Sequence, residues 1–461
     1  MERTSRRSVR WILPILVLAL IVADPALANS GQEPEPGFSY GFEAKGSWRD
    51  SDPAVFPVGL PPALRQEDGA VALPLATVDP EDHLELANVA LWFRASWGRY
   101  WEAKAKVDVV DLHDRNPTGS DDEVSLDELW IRWGQETATA EQAEGYGAYV
   151  LLGKIPKFER QDDRHLESYG LLSTAFNRFE DIGVEFGFDL GRHFYVKGSF
   201  TQGNPLFLRD PNALAGDNGV GLANGDRDPN PEFASGIPIF YDADVDEIDF
   251  DNPEIGVALG MRLGSVRDGL GAEVMLWGYD RDLADTVDLS NTIYGGDLDL
   301  LDGPDFGPLG TFPLAITNDG KREIGANLWF YWGNFTLFGQ YVNQDLAGLD
   351  RKGYEIEVSY AFGLPYLGSV GGRPLFSYIA PAIRYSELDP EFPVANGFFP
   401  AISAVWDWEK IDLGLRLGLI DGLLDLTVEW NLNDFVRAGV TEEADEFLAT
   451  VRWQMSRGSN R

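Results

Sequence analysis

The chain has no cysteine, only four histidines and, after residue 28, no apolar run of about 18 residues. Without cysteine no disulfide can form, so an exported chain must rely on size and sheet closure for stability. Without a long apolar run, no helix is expected to cross a membrane. His165 lies near Asp162 and Ser168, but no G-x-S-x-G motif accompanies it, and residues so close in one loop rarely form a triad. We therefore predict a protein that is not an enzyme and needs no cofactor.

Basic residues are also scarce relative to acidic ones, at 37 against 75, which gives a net charge of −38. Residues 1–28 contain four arginines and two acidic residues, so the remainder carries 33 − 73 = −40. A chain this acidic is a poor partner for nucleic acid or for another anionic surface.

The first 28 residues have the pattern of a signal peptide that is cleaved on export. Four arginines precede an apolar run from Trp11 to Ala23, and Ala26-Leu27-Ala28 provides a small-residue cleavage site. An uncleaved membrane anchor is the alternative, but the run is short for a membrane span. Residues 29–37 are polar and rich in proline, and we expect a disordered lead-in there.

The stretch from Lys410 to Leu432 predicts two strands joined by a turn. Apolar residues alternate with polar or small ones on both sides of Asp421-Gly422, a two-residue hairpin signal. One face is continuously apolar and the other carries charges. If the apolar face meets lipid, Leu415→Arg should cost about 2–4 kcal/mol, whereas Gly414→Ser on the other face should be mild.

The same alternation recurs along the chain and predicts about sixteen strands of a length that crosses a bilayer when tilted. We place the barrel at 38–455 and a short tail at 456–461. The predicted strands are 38–48, 86–98, 100–110, 124–134, 146–155, 180–190, 193–203, 254–264, 269–279, 321–333, 334–344, 352–363, 374–386, 409–420, 423–433 and 447–455.

The connections between these strands alternate between short turns and long loops. Short turns include Gly98-Arg99 and Gly333-Asn334, and long loops include 204–253 and 280–320. Aromatic residues flank the short turns, as they do at membrane edges. The fold class is therefore all-β: a closed antiparallel transmembrane β-barrel in the outer membrane of a Gram-negative cell, with short periplasmic turns and long outer loops.

Charged residues on the polar face of the strands would line the interior of such a barrel. The segment 156–179 mixes basic and apolar residues, and we expect it to fold inward and narrow the pore; packing against neighbouring loops is the alternative. A basic track would then guide anions, unless these residues simply pair with facing acids. The candidate pore-lining residues are Arg94, Lys104, Lys106, Arg132, Lys154, Lys157, Arg160, Arg164 and Lys197.

One long loop concentrates carboxylates at alternate positions, at Asp242, Asp244 and Asp246. Oxygen ligands of this kind suit calcium. No glycine-containing calcium loop is present, so a solvated acidic loop is the favoured interpretation, and we predict no resident metal.

Several segments resemble the phosphate-selective porin family of Gram-negative outer-membrane barrels. They are Leu151 to Phe158, Leu171 to Val184, Ala382 to Asp389 and Phe447 to Gln454. The resemblance covers about two thirds of the mature chain. It implies a sixteen-stranded outer-membrane porin, a homotrimer, with an inward constriction loop and a basic pore.

These patterns predict passive diffusion of small hydrophilic solutes or ions, with a weak anion preference at the constriction. The expected partners are outer-membrane lipid, the solutes and the barrel-assembly machinery. The alternatives are an exporter of an acidic polysaccharide and a structural or adhesion barrel without an open pore.

Overall fold

The computed structural model describes residues 36–52, 55–59, 72–76, 81–98, 100–111, 124–134, 147–161, 164–176, 180–203, 248, 250–265, 269–283, 286–288, 297–299, 317–391, 407–437 and 440–458. The predicted signal peptide lies outside these residues, as does nearly all of the predicted lead-in. Within the described ranges, no helix is long and apolar enough to cross a membrane.

Sixteen long strands among the described residues close into one antiparallel barrel, as predicted. Each strand pairs with the next, and the last pairs with the first, with Lys45 opposite Arg452. The strands are β1 (Gly37–Ser51), β2 (Glu81–Trp97), β3 (Trp101–Asp111), β4 (Ser125–Gly134), β5 (Ala148–Pro156), β6 (Glu180–Leu190), β7 (Phe194–Thr201), β8 (Glu254–Ser265), β9 (Leu270–Asp282), β10 (Gly320–Trp332), β11 (Phe335–Leu346), β12 (Leu349–Tyr360), β13 (Tyr378–Glu391), β14 (Asp407–Ile420), β15 (Leu424–Arg437) and β16 (Glu446–Gly458).

Shorter elements accompany the barrel. A five-residue helix, α1, spans Leu171–Ala175. Phe362–Gly363 pairs with β13, and Val440–Glu443 pairs with β15. Three small hairpins lie outside the main sheet: Val55–Gly59 with Ala72–Ala76, Thr286–Asp288 with Asp297–Asp299, and Ser369–Val370 with Arg373–Pro374.

The hairpin of β14 and β15 shows why the sequence folds this way. Leu415 stands opposite Val428 on the outer face, while Asp412 and Glu429 are buried on the lumenal face. Residues 421–423 join the two strands, and Gly422 takes a φ of 59°, a left-handed conformation that glycine adopts without strain. The predicted hairpin is confirmed, but its connection has three residues instead of two, and the register shifts between Gly418 and Ile420.

The predicted ends of some strands are wrong. The final strand continues to Gly458, three residues beyond the predicted end, and β2 begins at Glu81 instead of residue 86. On the side of the long loops, β11 and β12 are joined by only Ala347 and Gly348, with φ of 56° and 85°. Both residues are therefore left-handed, which lets a two-residue turn replace a loop.

The outer face of the barrel is apolar over most of its circumference. Large exposed side chains include Leu259 on β8, Leu276 on β9 and Leu415 on β14. Trp97 and Trp101 flank the first short turn and stack with ring centroids 5.9 Å apart. A water-soluble protein does not expose apolar surface of this extent, so this band is the surface that a bilayer covers.

Candidate functional site: the lumen and its inward loop

The segment after β5 enters the lumen instead of leaving the barrel. We call residues 157–176 the inward loop; the structure describes 157–161 and 164–176. Its first part contacts three strands through Glu159. The Tyr279 hydroxyl donates to the Glu159 carboxylate at 2.5 Å, and Asn327 and Gln340 donate to its backbone carbonyl at 2.7 and 3.1 Å. The predicted inward fold of this segment is therefore what the contacts show.

The tip of the inward loop is bound to the far wall by backbone hydrogen bonds. The N–H groups of Glu167 and Ser168 donate to the Glu429 carboxylate, the second at 3.1 Å. Arg384 donates to the carbonyl and hydroxyl oxygens of Ser168, at 3.1 and 2.9 Å. Lys410 donates to the carbonyl of Tyr169 at 2.8 Å. The loop thus crosses the lumen from β5 to β13, β14 and β15.

The Glu167 carboxylate makes a second attachment where the barrel closes. It lies 3.2 Å from Lys45, 3.2 Å from Arg416 and 2.6 Å from Arg452, on β1, β14 and β16. Burial alone would raise the pKa of Glu167, but Lys45, Arg452 and Arg416 outweigh burial and hold it well below the usual range. One anionic side chain therefore ties the loop to both sides of the closing seam.

Apolar residues of the inward loop pack against the wall beneath it. Leu166, Leu171 and Leu172 are fully buried. A Cβ atom added to Gly414 would lie 2.1 Å from Leu166 Cδ2, so a larger residue at position 414 requires the end of the Leu166 side chain to move. Gly414 thus faces the packed loop, and the mild effect expected of Gly414→Ser stays a prediction.

Four of the predicted cations form one wall on the strands that follow β1. We call Arg94, Lys104, Lys106 and Arg132, on β2 to β4, the cationic wall. Each pairs with a carboxylate. Arg94 and Arg132 share Glu102, Lys104 lies 2.7 Å from Glu128, and Lys106 lies 2.5 Å from Asp127 and 3.7 Å from Asp108.

The exposure of these pairs is unequal. The Arg94 side chain is 58% exposed against 10% for Glu102, and Lys104 is 30% exposed against 4% for Glu128. Because the carboxylates lie underneath, a solute in the lumen meets nitrogen atoms although the pairs are electrically balanced. Other walls show the reverse order: Glu43 is more exposed than its partners on β1 and β16, and Glu273 is more exposed than Arg262.

The remaining predicted residues have different surroundings. Lys157 is nearly fully buried against Glu254 and lies in the contact between loop and wall, not on the open surface. Arg160 pairs with Glu128 and Glu180. Two further candidates are held inside the lumen, with the Arg164 guanidinium 3.7 Å from the centroid of the Tyr169 ring and Lys197 3.7 Å from Glu185.

The prediction that Lys154 faces the lumen is wrong. Lys154 stands opposite Leu129 on β4 and Ile182 on β6, which share the outer parity, and its ammonium donates to the Leu126 carbonyl at 2.6 Å. The inward residues of β5 are apolar instead. They are Tyr149, Leu151 and Ile155, which pack with Trp130.

The sequence did not predict two features of this wall: the orientation of β5 and the contacts of Glu128. Leu151 and Leu152 are adjacent and both apolar, so the alternation in β5 gives no parity, and the charged Lys154 misled the assignment. The second is Glu128, whose Oε2 accepts from Trp130 Nε1 at 3.0 Å and lies 2.7 Å from Lys104, while its Oε1 is 3.1 Å from Arg160. The register of β3 and β4 and the position of the inward loop together bring these groups into contact.

The candidate calcium ligands Asp242, Asp244 and Asp246 lie outside the described residues. Among the described ones, Asp127, Glu128 and Glu180 bring carboxylate oxygens within 4.8 Å of one another. Lys106 and Arg160 already pair with these carboxylates.

No protein-family model and no curated protein matches the chain. Several solved outer-membrane proteins are similar in structure at low sequence identity. The channel DcaP of Acinetobacter baumannii gives a TM-score of 0.48 at 10% identity, covering 93% of this chain and 100% of that one. OprB of Pseudomonas putida gives 0.46 at 11% identity, covering 91% and 94%. An anion-selective porin from Comamonas acidovorans gives 0.43 at 10% identity, covering 91% and 100%. The strand pairing described above establishes the barrel independently of these similarities.

Proposed function

We propose that the protein is an outer-membrane channel for passive diffusion of small hydrophilic solutes and ions, with a weak preference for anions. The observation that carries the proposal is the unequal exposure of the lumenal ion pairs on β2 to β4. The inward loop is attached to β9–β11 and, at its tip, to β13–β16 and β1, and it reaches β2–β4 through Arg160. The exposed cations of β2–β4 are therefore the wall along which we place the water-accessible passage.

Net charge at this passage does not produce the preference. The cationic wall and Arg160 supply five positive charges, and they pair with five carboxylates, which gives 5 − 5 = 0. These carboxylates are Glu102, Asp108, Asp127, Glu128 and Glu180. The preference for anions comes from the different depths of the two partners in each ion pair. A solute in the passage is closer to the exposed cation than to the buried carboxylate, so the cation acts on it more strongly. We therefore expect a weak preference and not strict exclusion of cations.

A homotrimeric assembly and delivery by the barrel-assembly machinery belong to the same proposal. They rest on the resemblance of sequence motifs, and membership of the phosphate-selective porin family stays a prediction. The apolar outer band supports outer-membrane lipid as the partner of the barrel wall.

The absence of cysteine allows a test without background labelling. Lys104→Cys places a thiol on the cationic wall, and Asp280→Cys places one on the outer face. A charged, membrane-impermeant thiol reagent should reduce the planar-bilayer current of the first variant and leave the second unchanged. Two results would contradict the proposed passage. One is that neither variant conducts a current, and the other is that the reagent does not reduce the current of Lys104→Cys.

A further inference from the structure

A lumenal tryptophan lies within the cationic wall. Trp130 on β4 is half-buried and stands directly opposite Lys104 on β3, on the same lumenal face. Next along the same face, the Arg132 guanidinium lies 6.0 Å from the centroid of the indole ring. An aromatic surface is therefore placed between two cations on the passage.

Glu128 fixes this arrangement from below. Its Oε2 accepts a hydrogen bond from Trp130 Nε1 at 3.0 Å and lies 2.7 Å from the Lys104 ammonium, and its Oε1 is 3.1 Å from Arg160. Because Arg160 comes from the inward loop, the group lies where the loop meets the wall. The indole edge and two cations are thus oriented by one carboxylate that is itself almost completely buried.

The neighbours of the indole on β5 are small or apolar. Gly153 of β5 stands opposite Trp130 on the side away from Lys104, and its φ is 135°. A Cβ atom there would lie 2.0 Å from the Leu129 carbonyl oxygen, so glycine is required at this position. Nearby Leu151 and Ile155 extend the apolar surface around the ring.

We propose that Trp130, Lys104 and Arg160 form a solute-binding subsite for small anions that carry an apolar ring, namely aromatic or alicyclic carboxylates. The cations attract the carboxylate, and the ring of the solute packs against the indole. Glu128 is a positioning residue that does not touch the solute. This inference rests on the proposed channel function and narrows it from ions in general to one class of solute.

The test compares benzoate with acetate, which carry the same charge and differ in the ring. Benzoate should interrupt the single-channel KCl current at millimolar concentration, whereas acetate should not. Trp130→Leu should weaken the benzoate effect about three- to tenfold, because one aromatic contact is lost. Trp130→Phe, which keeps a ring without the indole N–H, should retain most of it.

Trp329→Leu is the matched control, since Trp329 is a half-buried tryptophan on β10 that stands opposite Glu273. It should leave the benzoate effect unchanged. Equal effects of benzoate and acetate, or a benzoate effect that survives Trp130→Leu, would overturn the subsite while leaving the channel proposal intact.

A second measurement tests binding of benzoate without requiring the barrel to conduct. Saturation-transfer NMR on the detergent-solubilised protein should show contact with benzoate that Trp130→Leu reduces and Trp329→Leu does not. Absence of current in KCl contradicts the channel proposal alone. Absence of the Trp130-dependent NMR signal contradicts the subsite alone.

Discussion

At the scale of single residues, the cationic wall is organised by carboxylates that lie beneath the cations they bind. Glu102 is the clearest case, because it binds both Arg94 and Arg132. A buried carboxylate of this kind holds the cations in place and reduces the field they project into the passage. The polarity seen by a solute therefore depends on which partner of each pair is deeper.

Glu102→Gln removes this compensating charge while it retains a side chain of similar shape. The passage should become more anion-selective, with the anion-to-cation permeability ratio rising about two- to fivefold, as expected for one unit charge within several Å. Reversal potentials across a KCl gradient measure the ratio. Glu409→Gln, at an exposed position on β14, is the matched control and should leave the ratio unchanged. An unchanged ratio in Glu102→Gln would show that ions do not pass this wall.

At the scale of elements, the inward loop is held at its start and at its tip by different contacts. Near β5 it is bound by buried side chains around Glu159, and at its tip by Glu167 and by the packing of Leu166 against Gly414. In the proposed channel, a loop attached in this way is a fixed partition of the lumen, and its position sets the width of the passage along the cationic wall.

Glu167→Gln should loosen the tip, because three cations lose their shared anion. We expect a larger and noisier single-channel current and a loss of unfolding free energy on the order of 3 kcal/mol. Glu409→Gln again serves as the control and should change neither quantity. A current of unchanged size and noise in Glu167→Gln would mean that the tip does not border the passage.

The effect of Glu167 should also depend on pH in a defined direction. The folded-state pKa of Glu167 lies below its ordinary value of 4.5, so its contribution to stability is present above that value. The contribution is lost as pH falls through the lower folded-state pKa. The difference in unfolding free energy between wild type and Glu167→Gln should therefore be constant from about pH 8 to pH 5 and shrink below about pH 4.5. A difference that shrinks between pH 8 and pH 6 would contradict this assignment.

The sequence predicted the sixteen-stranded barrel and offered the inward fold that the structure describes for residues 157–161 and 164–176, because both follow from local patterns. Alternation reports which face of a strand meets lipid, and apolar residues in a loop report burial. The assignment failed at Lys154, where Leu151 and Leu152 break the alternation. Pairing of the basic residues with facing acids was one of the two alternatives, but the sequence did not show that Glu102 and Glu128 lie deeper than their cations. Depth within a lumen depends on the register of several strands and leaves no mark in one of them.

At the scale of the whole molecule, the apolar band and the acidic chain act on different surfaces. Leu415 is 42% exposed near the middle of β14. Leu415→Arg should lower the free energy of unfolding from lipid vesicles by about 2–4 kcal/mol, because a charge would face hydrocarbon. Leu415→Val keeps an apolar side chain and is the control. A negligible cost for arginine in urea titrations would contradict contact between this face and the bilayer.

Global and local charge compete in the choice between ions. The chain carries 75 acidic residues, and the sequence places many of them in the long loops, where they attract cations to the mouth. Their influence decays over about 10 Å at 0.1 M salt and over about 3 Å at 1 M. The exposed nitrogens of the cationic wall border the passage itself, so a passing ion comes within a few Å of them. Salt therefore weakens their influence on that ion less than it weakens the influence of the acidic loops.

The reversal potential across a KCl gradient, measured in planar bilayers at high and low ionic strength, tests the central claim most directly. A passage along the cationic wall predicts a weak anion preference near 1 M salt that fades or reverses near 0.1 M, as the mouth becomes effective. Firm cation selectivity at both ionic strengths, or no conductance at either, would contradict it.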